Sequence, residues 1–590
     1  MALLRDGAVA PHQMLQALAQ NAGHRGRLVD LLLARGLIAE DRLYAALGRL
    51  TGIGVADLAT PPDARLIDLL GPEFCLAHAL LPWQRSGGVT VIVTAYPDQI
   101  QRHHDRLAAL FGPIAAALAP PARIQSAILA ARGPAIARAA ETRVAAAESC
   151  RDFKPATAAT YGALAAAAAL SLFALKPLLL ILTLWAVLTV ILTMGLKLVA
   201  LTAALRSAKP EPANPAIVAR LPTVSVMVAL YRESDIATRL VRRLGQLDYP
   251  RDLLDIVLVV EEDDRLTRST LAHADLPPWM RVVVTPAGRV KTKPRALNFG
   301  LTQCRGSIIG VYDAEDAPDP DQIRKIVDRF HQRGPEVACL QGVLDFYNPH
   351  RNWLARCFTV EYASWFRVIL PGLQRLGLPL PLGGTTLFFR RDALEKLGGW
   401  DAHNVTEDAD LGMRLVRHGY RTEIIATTTY EEANCRALPW VKQRSRWVKG
   451  YMMTYLTHMR RPAALWRDLG PRGFLGFQIL FAGSLSQALL MPLLWSFWSL
   501  ALGLGHPLGS VIGPQLMLIL LTLFLMSEAV NITLGLVGLH RSGQNLSPLW
   551  VPTLTLYFPL QALAAYKALW ELLRCPFYWD KTSHGAFSAV

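Results

Sequence analysis

Several absences bound this sequence before any motif is read. No GxxxxGK[ST] loop occurs anywhere in its 590 residues, which excludes a P-loop NTPase. Cysteine is scarce and scattered: Cys75, Cys150, Cys304, Cys339, Cys357, Cys435 and Cys575 form no CxxC pair and no cluster with histidine. That predicts neither a zinc site nor a disulfide framework, and a reducing compartment fits. The opening "MALLRDGAVAPHQ" lacks the apolar core of a signal peptide, so the N-terminus is expected in the cytosol. Charge is thin too, at 18% of residues. The basic excess, net +15, is spread along the chain and much of it flanks apolar runs. That is the placement the positive-inside rule describes, and it argues against a nucleic-acid partner.

Apolar residues are abundant instead, at 52% with mean hydropathy +0.27, which points to a membrane protein with soluble parts. Residues 161–204 are almost unbroken apolar sequence, interrupted at Lys176-Pro177. A span needs about 20 apolar residues, so the run predicts two spans joined at Lys-Pro. Further apolar stretches lie at about 474–503, 511–538 and 549–570.

Between the membrane regions, residues 222–450 are mixed and globular. "TVSVMVALY", "LDIVLVVEEDD" and "GSIIGVYDAED" predict buried strands that end in acidic or polar loops. Helical patterns alternate with them, which predicts an α/β domain with a mostly parallel sheet and a ligand crevice at the strand C-termini. The segment before the membrane carries an internal repeat. "GAVAPHQMLQAL" from Gly7 aligns with "GLIAEDRLYAAL" from Gly36, predicting two helix pairs. Short strands follow at "ALLPWQ" and "VTVIVTA", then a helix from Pro97 and an Ala-rich helix over 134–149 leading to the membrane.

Four acidic or polar clusters fall at predicted strand ends or helix starts: Tyr231 and Glu233; Glu261, Glu262, Asp263 and Asp264; Asp313, Glu315 and Asp316; and "TEDADLGMRL" at 406–415. For the last, Thr406 can cap a helix whose first-turn acids suit its dipole, with Asp410 on the outer side. Carboxylates at "DAED" also suit a hard divalent cation, Mg2+ or Mn2+, shared with substrate phosphates. Lys293, in "KTKPRALN", can neutralise a diphosphate, and Asp408 can serve as a general base on a hydroxyl, supported by Glu407. In "QRSRW", Arg446 can bond phosphate, Gln443 can donate and accept, and Trp447 offers a flat face to a sugar ring. The same helix continues as a Tyr451, Tyr455, Met459 stripe that fits the membrane interface.

The order of acidic cluster, DxD-like motif, TED and QxxRW resembles processive family-2 glycosyltransferases, similar to cellulose and hyaluronan synthases, over residues 222–450 and the flanking spans. The resemblance implies a GT-A fold, a nucleoside-diphosphate sugar donor with UDP as the expected nucleotide, a divalent metal and inversion. It places Tyr231, Glu233, Glu261, Asp263, Asp264, Lys293 and Asp313 at the donor and Asp313 and Glu315 at the metal. Asp408 becomes the base, with Gln443, Arg446 and Trp447 framing leaving group and acceptor. The second DxD acid is Glu315 rather than Asp, and Asp316 is a substitute. "WDKTSHG" at 579–585 resembles the gating loop of cellulose synthases. "RLVDLLLARGLIAEDRLYAALGRL" resembles the N-terminal domain of type II secretion ATPases, whose MshE-type versions bind cyclic di-GMP. Here Arg27 and Leu28 remain, while Val29 and Leu50 replace the Gly and Gln of that motif.

The expected organisation is therefore an N-terminal α+β domain (1–133), a helical linker (134–160), two spans (161–204), a cytosolic GT-A domain (222–450), an interfacial helix (451–472), C-terminal spans (473–570) and a tail (571–590). The expected protein is a multi-pass bacterial inner-membrane glycosyltransferase extending and exporting a polysaccharide. Its alternatives are a single transfer to a lipid phosphate, or a non-catalytic receptor in a glycosyltransferase shell.

Overall fold

The computed structural model describes residues 2–21, 27–206, 220–233 and 236–579. The repeat forms two helix pairs, Ala2–Arg5 with Pro11–Asn21 and Leu28–Ala34 with Glu40–Thr51. Gly7 (φ 60°) and Gly36 (φ 64°) are both left-handed, the conformation glycine adopts without steric cost. Each ends its helix in the same way. Gly7 N–H reaches Leu4 O at 3.2 Å and Ala8 N–H reaches Leu3 O at 2.9 Å; Gly36 N–H reaches Leu33 O at 2.9 Å and Leu37 N–H reaches Leu32 O at 3.0 Å. These bonds satisfy carbonyls that a helix end otherwise leaves orphaned. Val9, Met14 and Ala17 of the first pair pack on Leu31, Leu32, Ile38 and Leu43 of the second.

A three-stranded sheet follows, built from β1 (Leu80–Ser86), β2 (Val89–Thr94) and β3 (Ile114–Leu118). The sequence reading missed β3, whose "IAAAL" lacks the β-branched and aromatic residues that mark strands. The Ala-rich helix also differs from expectation: it runs Pro121–Thr142, accommodates Pro134 inside, and ends well before the apolar helix that starts at Ala158. It packs against the Lys293–Leu301 helix of the next domain.

That domain holds an eight-stranded sheet: β4 (Val224–Leu230), β5 (Leu254–Glu261), β6 (Met280–Thr285), β7 (Ile308–Tyr312), β8 (Ala317–Pro318), β9 (Val337–Phe346), β10 (Leu387–Arg390) and β11 (Arg421–Glu431), in the order β6-β5-β4-β7-β10-β9-β11-β8. The sheet is mixed rather than mostly parallel. Strands β6, β5, β4 and β7 pair in parallel, β10 runs antiparallel between β7 and β9, and β11 returns parallel to β9. Two reversals restore direction, so β4, β5, β7 and β11 all end on one edge of the sheet. One apolar core joins a face of this sheet to the N-terminal domain: Leu107, Ile124, Ile128 and Ala137 are buried together with Met227, Val257, Phe299 and Val311. On the other face, Leu240, Leu244, Ile323, Ile326 and Phe330 cover Val226, Val228, Ile256 and Leu258.

Among the described residues two helices, Leu175–Arg206 and Pro514–Ser542, are long and apolar enough to cross a membrane. Pro462–Leu489 and Met491–Ala501, bent by 68°, add a third if taken as one broken span. The break before the first of these falls at Ala174, so Lys176-Pro177 sits in the opening turn of a 32-residue helix instead of between equal halves. The preceding Ala158–Phe173 helix has 16 residues, fewer than the roughly 20 that a span needs. The apolar run at 549–570 is likewise no single span. It breaks at Pro559, and its Leu560–Arg574 helix lies along the Ala437–His458 helix, where Lys449 Nζ meets Glu571 Oε2 at 2.9 Å. The Tyr451, Tyr455, Met459 stripe is covered by protein, with Tyr451 against Phe481 (4.9 Å) and Tyr455 stacked on Phe477 (5.5 Å).

Candidate active site

The shared edge of β4, β5, β7 and β11 brings Tyr231, Glu261, Asp313 and Glu431 to the mouth of one cavity of about 860 Å3. Eleven of the thirteen site residues expected from the sequence line it: Tyr231, Glu233, Glu261, Lys293, Asp313, Glu315, Glu407, Asp408, Gln443, Arg446 and Trp447. Lys293 ties them together. It opens the Lys293–Leu301 helix, and its Nζ lies 2.6 Å from Asp313 Oδ1, 4.0 Å from Glu407 Oε1 and 2.8 Å from the Gly384 carbonyl it donates to. Burial works against its charge, but Asp313, Asp408 and Glu407 outweigh that and lift its pKa.

Glu407 and Asp408 occupy the first turn of the Glu407–Arg417 helix and are both buried. Burial first, then Glu407 and Asp313, push the Asp408 carboxyl well above its ordinary range, with Lys293 pulling the other way. Asp408 Oδ1 is buried without a hydrogen-bond partner. Thr406 makes no side-chain cap, in contrast to the capping expectation; its hydroxyl leans 3.5 Å from Asn404 Oδ1 instead. A Cβ on Gly450 would stand 1.9 Å from that hydroxyl, so the Ala437–His458 helix approaches this turn closely only because position 450 is glycine. Asp410 corrects a second expectation. It is fully buried, not outward, and accepts from Arg414 Nε at 2.8 Å with His458 Nε2 at 3.2 Å. Burial opposes its charge, but Arg414 and His458 hold its pKa below the usual range, so Asp410 anchors the helix that carries Asp408.

Asp263 and Asp264 do not line the cavity. Asp264 is buried as the cap of the Arg265–Ala272 helix, accepting from Thr267 N at 3.1 Å and Thr267 Oγ1 at 2.6 Å. Asp263 is solvent-exposed and paired with Lys291, whose hydrogen bond holds its pKa down. Asp316 also turns away. Its Oδ2 accepts from Asp313 N at 2.8 Å and from Thr385 Oγ1, bracing the loop that presents Asp313 and Glu315. Burial, then Asp313 and Glu315, raise its pKa, and its Oδ1 has no partner. Glu431 was not anticipated, although "TTTYEE" shows the same strand-end placement as the other acids. It lines the cavity, and burial followed by Asp316, Glu315 and Asp313 raises its pKa. Among the described residues no three ligand-type side chains stand at metal-holding spacing. The crowded cavity-lining acids Asp313, Glu315 and Glu431 nonetheless suit a hard cation completed by substrate phosphates.

Glu261 reaches across the domain boundary. Fully buried Arg295 contacts Glu261 Oε2 at 3.0 Å and Glu141 Oε1 at 3.1 Å, the latter at the end of the Pro121–Thr142 helix. Glu141 Oε1 also accepts from Arg289 N at 2.9 Å, and Asn298 Nδ2 donates to Ala140 O at 3.0 Å. In "QRSRW" the arginine between Gln443 and Arg446 matters as well: Arg444 Nη1 meets Glu361 Oε1 at 2.8 Å inside the cavity wall. Gln443 Oε1 accepts from Asn434 Nδ2 at 2.8 Å, and Trp447 packs by Phe358 and Tyr362. Phe577, Tyr578 and Trp579 also line the cavity, with the Arg446 guanidinium 4.8 Å over the Trp579 ring. The remainder of the gating-loop match, 580–585, lies outside the described residues.

The DAED, TED and QRSRW motifs fall inside a matched family segment, whereas the helical motif at 27–50 lies just before the segment matched in the N-terminal domain. Residues 308–528 match the glycosyl transferase family group 2 model, and residues 51–137 match the MshEN domain model. The chain therefore carries a family-2 glycosyltransferase segment behind an MshEN domain. Among known proteins it is similar to a beta-monoglucosyldiacylglycerol synthase of Synechocystis, 32% identical over 52% of this chain and 64% of that protein. A probable glycosyltransferase of Bacillus subtilis is 27% identical over 55% of this chain and 77% of its own length. The chain thus spans a little under two thirds of the Synechocystis relative. A solved mannosyltransferase of Pyrobaculum calidifontis, in complex with GDP-Man and Mn2+, covers 66% of this chain and 99% of its own at 19% identity and a TM-score of 0.43.

Proposed function

We propose that this protein is a membrane glycosyltransferase that moves one sugar from a nucleoside-diphosphate donor to a hydroxyl of a membrane lipid, with inversion. The observation that carries the reading is the cavity itself. It runs from the acids at the sheet edge to Val190, Leu494, Phe524 and Leu534, on the two helices of spanning length and the bent pair between them. A soluble donor and a lipid acceptor need such a passage between an aqueous and an apolar end. The relatives named for monoglucosyldiacylglycerol point the same way.

In this reading Tyr231, Glu233 and Glu261 hold the nucleotide side, while Asp263 and Asp264 shape the loop beside it. Lys293 sets positive charge against the diphosphate. Asp313 and Glu315 would hold a divalent cation, Mg2+ or Mn2+, which when bound neutralises a diphosphate leaving group. Asp408, ionised as the donor complex assembles, takes the proton of the acceptor hydroxyl. Glu407 and Lys293 fix its position. Gln443, Arg446 and Trp447 frame the acceptor side, and the chain sits in the bacterial inner membrane with both soluble domains cytosolic.

A second reading, extension of a polysaccharide, is favoured by Trp447 and Trp579 flanking Arg446 in the cavity, since aromatic faces suit sugar rings. The MshEN domain fits docking better than cyclic di-GMP. The motif's Arg27 is engaged by Asp98 at 3.0 Å and stacks 3.7 Å over Tyr96. The test is incubation of membranes with a panel of labelled nucleotide sugars and Mg2+ or Mn2+, followed by lipid extraction and gel analysis. Label in a short lipid product supports the first reading. Label in long polymer replaces it with the second, and no label with any donor refutes both.

A further inference from the structure

At its membrane end the cavity contains ionisable side chains that the chemistry above does not use. Lys197, on the Leu175–Arg206 helix, donates from Nζ to Asn531 Oδ1 at 2.8 Å on the Pro514–Ser542 helix. One turn before Asn531, Glu528 accepts from Thr555 Oγ1 at 2.6 Å. All four residues line the cavity. Neither Lys197 nor Glu528 enters an ion pair among the described residues, although both lie on helices of spanning length. A charge on a helix of spanning length is costly and is rarely kept without a task.

We propose that Lys197, Glu528 and Asn531 form a head-group subsite for a neutral, hydroxyl-bearing lipid, holding it with its free hydroxyl toward Asp408. The inference rests on the lipid-acceptor reading and adds the residues and the class of head group. The donor and acceptor balance selects the ligand. Lys197 donates and Glu528 accepts, which matches a glycerol-type head that does both. A phosphate monoester would satisfy Lys197 but would meet Glu528 as a like charge. Leu494, Phe524, Leu534, Leu554 and Phe558 around the subsite offer nothing to the hydroxyls of a sugar chain but suit acyl chains. The Glu361–Arg444 pair, also in the cavity wall, extends polar lining from the subsite toward the QRSRW helix. No bond is made or broken at the subsite. Transfer still joins the lipid oxygen to the anomeric carbon, releases the diphosphate and leaves the proton on Asp408.

The full-length enzyme in neutral vesicles, supplied with the donor that labels lipid, provides the test. Dioleoylglycerol and dioleoyl phosphatidic acid are the two probes. The wild-type enzyme is expected to label the diacylglycerol. Lys197→Met and Glu528→Leu are each expected to raise its apparent KM roughly tenfold, the worth of one hydrogen bond to a charged group, while the donor KM stays put. Unchanged acceptor KM in both variants overturns the subsite and leaves the lipid-hydroxyl reading standing, whereas a preference for phosphatidic acid, which has no alcohol hydroxyl, overturns both. No lipid labelled by the wild type with any donor removes both. Should the variants not fold, a photoreactive diacylglycerol on the wild-type enzyme decides. Crosslinks within 190–197 or 524–534 support the subsite, and crosslinks confined elsewhere refute it.

Discussion

Replacing Glu141 with alanine tests how far the N-terminal domain reaches into the donor side. Arg295 is fully buried between Glu141 Oε1 at 3.1 Å and Glu261 Oε2 at 3.0 Å, so the substitution removes one of its two counter-charges. Breaking a buried pair costs about 3–5 kcal/mol, and Glu261 and the Pro286 carbonyl remain on Arg295, so the lower end applies, about 3 kcal/mol. The Arg289 amide loses its acceptor as well. Because the two soluble domains share one core, about 2.1 cal/mol/K per residue over both turns that loss into a fall in Tm of roughly 3–5 °C. Glu261 lines the cavity, so the donor KM should rise while the acceptor KM does not. Thermal unfolding of the full chain in detergent, followed by tryptophan fluorescence, reads the first effect, and initial rates against donor concentration read the second. Glu141→Gln, which keeps the acceptor for the Arg289 amide, should recover part of the loss. A Glu141→Ala protein that melts within about a degree of wild type with an unchanged donor KM would refute the reasoning.

Three further outcomes are expected. Asp408→Asn should lower the transfer rate by roughly 100- to 10,000-fold, the usual worth of a general base, with donor binding by calorimetry retained. Because burial, Glu407 and Asp313 raise the Asp408 pKa, a base that must be ionised gains activity as pH rises through that raised value; a rate that is flat or falls across the same range contradicts the role. Gly450→Ala places a methyl in the space of the Thr406 hydroxyl, so it should displace the turn bearing Glu407 and Asp408 and cut activity at least tenfold, in contrast to Gly7→Ala far from the site.

The strands that deliver the acids were legible because they are continuous apolar runs ending abruptly in charge. Val224–Leu230, Leu254–Glu261 and Ile308–Tyr312 all fall where that pattern predicts. The repeat was legible for a backbone reason: Gly7 and Gly36 perform the same left-handed turn. The mixed sheet was not, since strand direction depends on β10 inserting between β7 and β9, and "LFFR" carries no sign of its neighbours. Runs of acids hid their division of labour. Glu261 faces Arg295 and the cavity, Asp263 faces solvent and Asp264 caps a helix, a difference set by where the chain leaves the strand and starts to coil. Glu141, Glu528 and Lys197 could not be assigned from local sequence because their partners lie on other elements.

The single core beneath the sheet has a practical bearing on how this molecule can be handled. Side chains such as Ile124 and Ile128 on one part and Phe299 on the other exclude water from each other. Cutting the gene between the two parts would therefore hand each fragment a sticky, greasy flank. Neither fragment would be a faithful stand-in for its half of the intact protein, so dissection by truncation is a poorer tool here than single substitutions at the seam.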